Sequence, residues 1–300
     1  MNEQVYEKYK RAGKIAGQAR DFGVGLIKPG VSFLSVAQSV ESFILNNGAG
    51  VAFPVNISIN EVAAHYTPCV DDSLVFSVGD VVKLDVGSHV EGYIADTAIT
   101  VEVGSSSYDS LIKASSQALE DAISFLKAGV LLSDIGCIVE EKITEYGFKP
   151  IDNLTGHGLE QFVLHSGISV PSISNTSAKV VVGVDDVLAI EPFASDGAGH
   201  VKSGAGSNIY VCSDSLKSRL MRDNRLKSDF LRIKKIFPHL PFASRWCHDK
   251  ISQNIDPVLR RLSLLGYLKH YPMLIDSGRG MVSQKEHTVI VFDDGCEVIT

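Results

Sequence analysis

The chain has 300 residues, 45% of them hydrophobic, a mean hydropathy of +0.12 and a formal net charge of −7. This is enough apolar material for one large core or two small ones. No apolar run approaches the roughly 18 residues that cross a bilayer, and the charged opening MNEQVYEKYKRAGK lacks the apolar stretch of a signal peptide. Five cysteines, at 69, 137, 212, 247 and 296, stand apart without a CxxC pair, which fits a reducing, cytoplasmic setting better than a disulfide framework.

Val5, Tyr9, Ala12, Ala16 and Ala19 recur at helical spacing and predict a first helix over Glu3–Phe22. Lys28-Pro29-Gly30 breaks the pattern. A second helix is expected over Ser35–Asn46, with Val36, Val40, Phe43 and Ile44 on its apolar face and Gly48 after its end. Val51–Ile59 reads as a strand despite Pro54.

Val81–Thr97 reads as two strands joined by a Gly-rich turn, with Gly87 and Gly92 bracketing the reversal. Each strand carries one aspartate among β-forming neighbours, Asp85 and Asp96. A hairpin brings the two carboxylates together inside a core, where they repel and are costly to bury alone. Something positive has to sit between them; the ordinary alternative is an Arg or Lys partner, or aspartates that merely bond turn amides.

Much of the first helix-turn-helix recurs 99 residues later. Lys28, Gly30, Val31, Val40, Glu41, Ile44 and Gly48 match Lys127, Gly129, Val130, Val139, Glu140, Ile143 and Gly147, and Tyr9 and Ala19 match Tyr108 and Ala118. Two copies are too few for a solenoid. They point to a pseudo-twofold α/β sandwich with a central sheet and a site on its axis. Further strands are expected around Glu160–Leu164, Ala178–Val182, Val187–Pro192, Asn208–Cys212 and Val289–Phe292, and Gly204-Ala205-Gly206 reads as a turn.

Charge is uneven along the chain. Ser215–Pro272 holds thirteen Lys and Arg against four Asp and Glu, a local +9, within a remainder of −16. Leu216, Leu220, Leu226, Leu231, Ile233 and Ile236 sit among these charges, and Pro257–Leu268 predicts one more amphipathic helix. Strand-rich sequence resumes afterwards, so 215–272 reads as an inserted helical subdomain within one domain spanning 1–300. Its basic surplus is either a solvated helix face or a contact for ribosomal RNA phosphates.

His157, between glycines in TGHG, Glu191 in LAIEPF, Glu286 in QKEHTVIVF and His65 in AAHYTP are the remaining polar positions beside apolar strands. Taken singly, each is an ordinary structural histidine or a solvated glutamate. Together with Asp85 and Asp96 they form an oxygen-rich set with nitrogen, charged enough for two divalent cations that activate a water between them. Mixed carboxylate and imidazole donors suit Mn, Fe, Co or Zn better than Ca or Mg. GxSxG, Walker A and a strand-borne GxGxxG are absent from the sequence.

The ordered words KLDVG, ADTA, TGHG, IEPF and QKEHT resemble the methionine aminopeptidases of type 2, and the likeness runs through nearly the whole chain. It implies the pita-bread fold, a winged-helix-like insert that includes LPFASRW (240–246), and a short archaeal-like form without the eukaryotic N-terminal extension. It implies removal of N-terminal methionine from nascent chains whose second residue is small, by water attack at a dinuclear centre of Co, Mn, Fe or Zn. By the matching words, Asp85 resembles the chelating ligand of one metal, Asp96 and Glu286 the bridging carboxylates, and His157 and Glu191 the ligands of the other. Glu191 is also the expected proton shuttle. His65 resembles the histidine that bonds the scissile peptide group, and His165 the one that steadies the carbonyl oxygen. Phe53 and Leu164 match the methionine side-chain pocket. A monomer without membrane contact is expected.

Prolidases and aminopeptidase P would use the same five ligands on another bond; the HYTP word and the position of the insert favour the methionine enzyme. A non-catalytic binding protein of the proliferation-associated kind would have lost ligands, and here all five are present.

Overall fold

A computed structural model describes residues 1–174, 179–213 and 221–300. Helix α1 (Glu3–Leu26) starts at Asn2, whose side chain accepts from Val5 N at 2.9 Å, and runs one turn beyond its predicted end. Helix α2 (Phe33–Asn46) is capped by Ser32, which accepts from Ser35 N at 3.1 Å. Helices α3 (Asp109–Phe125) and α4 (Leu132–Glu145) follow the hairpin. The ends of α4 are those of α2 moved by 99 residues, and Gly30 and Gly129, like Gly48 and Gly147, share a positive φ. The repeat read from the sequence is thus a repeat of structure.

The expected strand over Val51–Ile59 is two short ones, β1 (Gly50–Val51) and β2 (Asn56–Ile59). Pro54 has no N–H to offer a ladder, and the chain leaves the sheet around it. After β3 (Val62–Ala64) comes the long hairpin of β4 (Val81–Val90) and β5 (Tyr93–Glu102), paired throughout. Its reversal is Glu91-Gly92, both at positive φ, the geometry of a tight two-residue hairpin turn. Gly87 does not bracket the turn: it lies within β4, where a Cβ would come 2.1 Å from the Phe53 ring.

In the second half, β6 (Lys149–Pro150), β7 (Thr155–Gly158), β8 (Ser169–Pro171), β9 (Val187–Ile190), β10 (Phe193–Ser195) and β11 (Val201–Cys212) follow. Glu160–Leu164 is not a strand but a turn closed by one bridge between Glu160 and Val163. Phe162 stands there at φ 58°, which no extended strand allows. Of the strand expected at Ala178–Val182, Ala178 lies outside the described residues and Val181 makes a single bridge to Leu131. Gly204-Ala205-Gly206 is not a turn either; it lies in β11, where the register against the partner strand shifts on both sides of Gly206.

Helices α5 (Asn224–Ile236), α6 (Ser244–Lys250) and α7 (Asp256–Leu264), with β12 (Phe242–Ala243), stand between β11 and β13 (Leu268–Asp276). Leu268 is therefore the first residue of a strand rather than the end of the last helix. Leu226, Phe230, Ile233, Leu259 and Leu262 build a small core of their own, Leu231 and Ile236 face outward, and Leu216 and Leu220 lie outside the described residues. The chain closes with β14 (Val282–Gln284), β15 (His287–Val291) and β16 (Cys296–Val298).

Two helix pairs cover two antiparallel sheet systems. One core joins α1 and α2 to Ile57, Val82, Leu84 and Val86; its counterpart joins α3 and α4 to Leu188, Ile190, Val289 and Val291. A third, built on Phe53, Ile94, Ala95, Ala189 and Ile290, lies between the halves. The seam is polar as well: Thr288 Oγ1 accepts from Asp96 N at 2.7 Å and donates to Asp96 O at 2.8 Å, and Glu286 N reaches Ala98 O at 3.0 Å. This is the mixed α/β, pseudo-twofold architecture of the pita-bread fold.

Candidate metal centre

In the β4–β5 ladder Asp85 faces Ala98 and Asp96 faces Gly87, so the two carboxylates are diagonal neighbours on one face. Glu286 enters from the other half, between β14 and β15, where its backbone bridges to Ala98. His157 lies on β7 opposite Ala189 of β9, and Glu191 follows the last residue of β9. All five donor residues line one cavity of about 70 Å³, together with His65, His165, Phe53 and Leu164.

His157 Nε2 lies 3.7 Å from Asp96 Oδ2 and 3.7 Å from Glu191 Oε1. Single donor atoms of Asp96, His157 and Glu286 fall within 4.8 Å of one another, all three buried. Asp85 Oδ1, Asp96 Oδ1, Glu286 Oε1 and His157 Nδ1 are buried without a hydrogen-bond partner. Burial pushes the Asp85 carboxyl up to about 7. Asp96, Glu191 and Glu286 are raised well above the carboxylate range, by burial first and then by neighbouring carboxylates, Asp85 among them in every case. None of the residues lining the cavity is Lys or Arg. Of the cations nearby, Arg20 is engaged by Thr97 Oγ1 at 2.7 Å and by Asp21, and Lys269 Nζ lies 5.2 Å from the centre of the Tyr271 ring.

Buried acceptors without donors, carboxylates packed against one another and a neutral imidazole, held by burial down to about 3, fit divalent cations and leave no role for a protein cation.

Residues that sequence reasoning did not single out complete the site. Gln284 Nε2 donates to Glu191 Oε2 at 3.2 Å and to Glu286 Oε2 at 3.3 Å, fixing both carboxylates. A signal existed: Gln284 opens the QKEHT word two positions before Glu286, hence on the same strand face. Tyr271, whose ring meets His65 edge-on at 5.3 Å, Asn56 and Pro241 also line the cavity. They arrive from distant segments, and no local pattern marks them.

His65 adopts a positive φ of 67°. Burial holds its imidazole down to about 4, so it is neutral at pH 7. Its Nδ1 faces Pro272 O at 3.3 Å, which requires a proton on Nδ1 and leaves Nε2 as an acceptor. The His165 ring meets that of His157 edge-on at 4.4 Å and is likewise held neutral by burial.

The model of metallopeptidase family M24 matches residues 7–214. This chain belongs to that family. Over 300 residues, all of both chains, it is 44% identical to the methionine aminopeptidase of Methanocaldococcus jannaschii, which places it among the methionine aminopeptidases of the family. In fold it is similar to the methionine aminopeptidase of Thermotoga maritima, with a TM-score of 0.73 at 22% identity over 100% of this chain and 98% of that one. It is similar also to a thermophilic Arx1, with a TM-score of 0.84 at 16% identity over 100% and 91%. With the buried donor cluster, this family makes the chain a metal-dependent hydrolase.

Proposed function

We propose that this chain removes the N-terminal methionine from polypeptides whose second residue is small. The observation that carries the reading is one small cavity lined by all five donor residues together with Phe53 and Leu164. Asp85, Asp96, His157, Glu191 and Glu286 would hold two divalent ions. Such ions supply Lewis acidity and a water that ionises near neutral pH.

The side chains then have separable tasks. Glu191 takes the proton released by the attacking water and returns it to the leaving amine. Its Oε2 is held by Gln284, which keeps the carboxylate aimed during the transfer. His65, an acceptor at Nε2, receives the N–H of the scissile peptide group. Neutral His165 donates toward the oxygen on which negative charge develops. Phe53 and Leu164 exclude water around an unbranched apolar side chain, and the small cavity disfavours bulk at the second residue.

In this reading 1–300 is one catalytic domain and the segment 215–272 is a winged-helix-like insert. The protein acts as a monomer in the cytoplasm; among the described residues no helix is long and apolar enough to cross a membrane. Metal-loaded protein is expected to release methionine from Met-Ala-Ser and to leave Met-Leu-Ser and Xaa-Pro peptides largely intact. Cleavage of Xaa-Pro peptides instead would make it a prolidase-like enzyme. Failure on every peptide would leave the fold a binding scaffold.

A further inference from the structure

A groove of about 750 Å³ is separate from the catalytic cavity. It runs between α2 and the segment from the end of α5 to α6, with His89 and Phe162 at one edge. It adjoins the catalytic cavity through Pro241, which lines both. At about 70 Å³ the cavity is far smaller than the roughly 300–1,000 Å³ of ordinary ligand pockets. A substrate that is a polypeptide has to continue beyond it. We propose that this groove seats the substrate chain from its third residue onward, as an extended and sequence-tolerant segment. This inference rests on the aminopeptidase reading above.

Three features support this occupant. The walls are tied together: Arg245 of α6 pairs with Glu41 of α2, and Trp246 Nε1 donates to Glu41 Oε2 at 2.9 Å, all three residues lining the groove. A preformed groove spares the substrate the cost of opening one. Phe162 is an aromatic residue 37% exposed yet firmly held. Its ring lies 5.8 Å from His89 and 5.6 Å from His239, and its N–H donates to Gly92 O at 2.7 Å. Gly92 admits the ring only because it lacks a Cβ, which would come within 2.4 Å. A φ of 58° at a bulky residue is strained and persists where surroundings impose it, as they do here beside Leu164 and His165. Lastly, the groove is electrically balanced. Glu41 and Asp249 offset Arg245 and Lys250, and apolar Ile236, Phe237 and Leu240 lie between them. A neutral, part-apolar channel suits a polypeptide of varied sequence and does not suit a polyanion such as RNA.

Trp246 is the only tryptophan in the chain and lines the groove, so its emission reports occupancy directly. Metal-loaded full-length protein is titrated with the heptapeptide Ala-Ser-Gly-Thr-Leu-Ser-Gln, a product-like chain without methionine, and with the dipeptide Ala-Ser. A saturable emission change is expected with the heptapeptide alone. In turnover, an eight-residue peptide beginning Met-Ala-Ser is expected to show a kcat/KM about tenfold above that of Met-Ala-Ser, the worth of one or two apolar contacts. Phe162→Ala and Ile236→Asp should bring that ratio toward one. An unchanged Trp246 signal with cleavage intact would overturn the groove assignment, as would equal kcat/KM for the two lengths, or a Trp246 response to an oligoribonucleotide but not to the heptapeptide. A heptapeptide response without cleavage of any peptide would fail the aminopeptidase reading and still support a polypeptide site.

Discussion

Gln284 shows how a neutral side chain serves a charged site. Its single amide nitrogen holds oxygens of both Glu191 and Glu286, leaving their other oxygens to face the cavity. Gln284→Leu removes that donor with little change in volume. Metal affinity is expected to fall roughly 10–100-fold, the usual loss when a residue orienting a ligand is removed; calorimetric titration with Mn checks this. Gly87 is as specific a requirement. Gly87→Ala drives a methyl into the Phe53 ring, which lines the same cavity. A loss of about 1–3 kcal/mol is expected from overpacking, with a raised KM for methionyl peptides; thermal unfolding and steady-state kinetics read the two effects separately. The role of Gly87 could not be read locally. A glycine between two hairpin strands reads first as a turn residue, and only the returning Phe53 ring shows why no Cβ is tolerated.

At the scale of elements, the repeat made most of the fold legible. Helix α4 reproduces the bounds of α2 because the same Val, Glu and Ile positions at the same spacing meet equivalent sheets. Expectations failed where a special backbone overrode an apolar pattern: Phe162 at positive φ turned an expected strand into a turn, and Pro54 split another. Two buried polar joints hold elements together. Glu41 ties α2 to α6 through Arg245 and Trp246, and it also accepts from Val55 N just before β2. Glu41→Gln leaves Arg245 buried without its counter-charge and is expected to cost about 3–5 kcal/mol, seen as a lower denaturation midpoint. At the end of β13, buried Asp276 accepts from Ala198 N at 3.0 Å, Gly278 N at 2.8 Å and Ser195 Oγ at 3.0 Å. Burial alone would raise its carboxyl, but these donors outweigh it and hold the pKa below its ordinary value. A depressed folded-state pKa stabilises above the unfolded value of about 4, and the stabilisation is lost as pH falls through the folded pKa. Asp276→Asn should therefore unfold more easily at pH 7, with the gap to wild type narrowing in acid; urea midpoints at pH 7 and pH 3 test this.

Across the whole molecule, the five candidate donor residues could be picked out because each sits in a short word of its own, and they come together only when two halves and several strands close. The same closure packs carboxylates that repel. In metal-free protein Asp85, raised to about 7, binds its proton more tightly than an unfolded aspartate near pH 4 does. The stability that this protonated group contributes to the metal-free protein is thus full below about pH 4 and is lost as pH rises through 7. Divalent ions bind the deprotonated groups and stabilise by mass action, so loading should release protons and reverse the trend. Thermal unfolding at pH 5 and pH 8, with chelator and with Mn, is expected to show chelated protein less stable at pH 8 and loaded protein more so. The most direct measurement is release of methionine from Met-Ala-Ser by wild type, Glu191→Ala and His65→Ala, each with chelator and with Mn, Fe or Co. Turnover by metal-loaded wild type, abolished by chelator and reduced by orders of magnitude in both variants, is the expected result. Undiminished turnover in chelator, or in either variant, would contradict the assignment of this cavity as the catalytic centre.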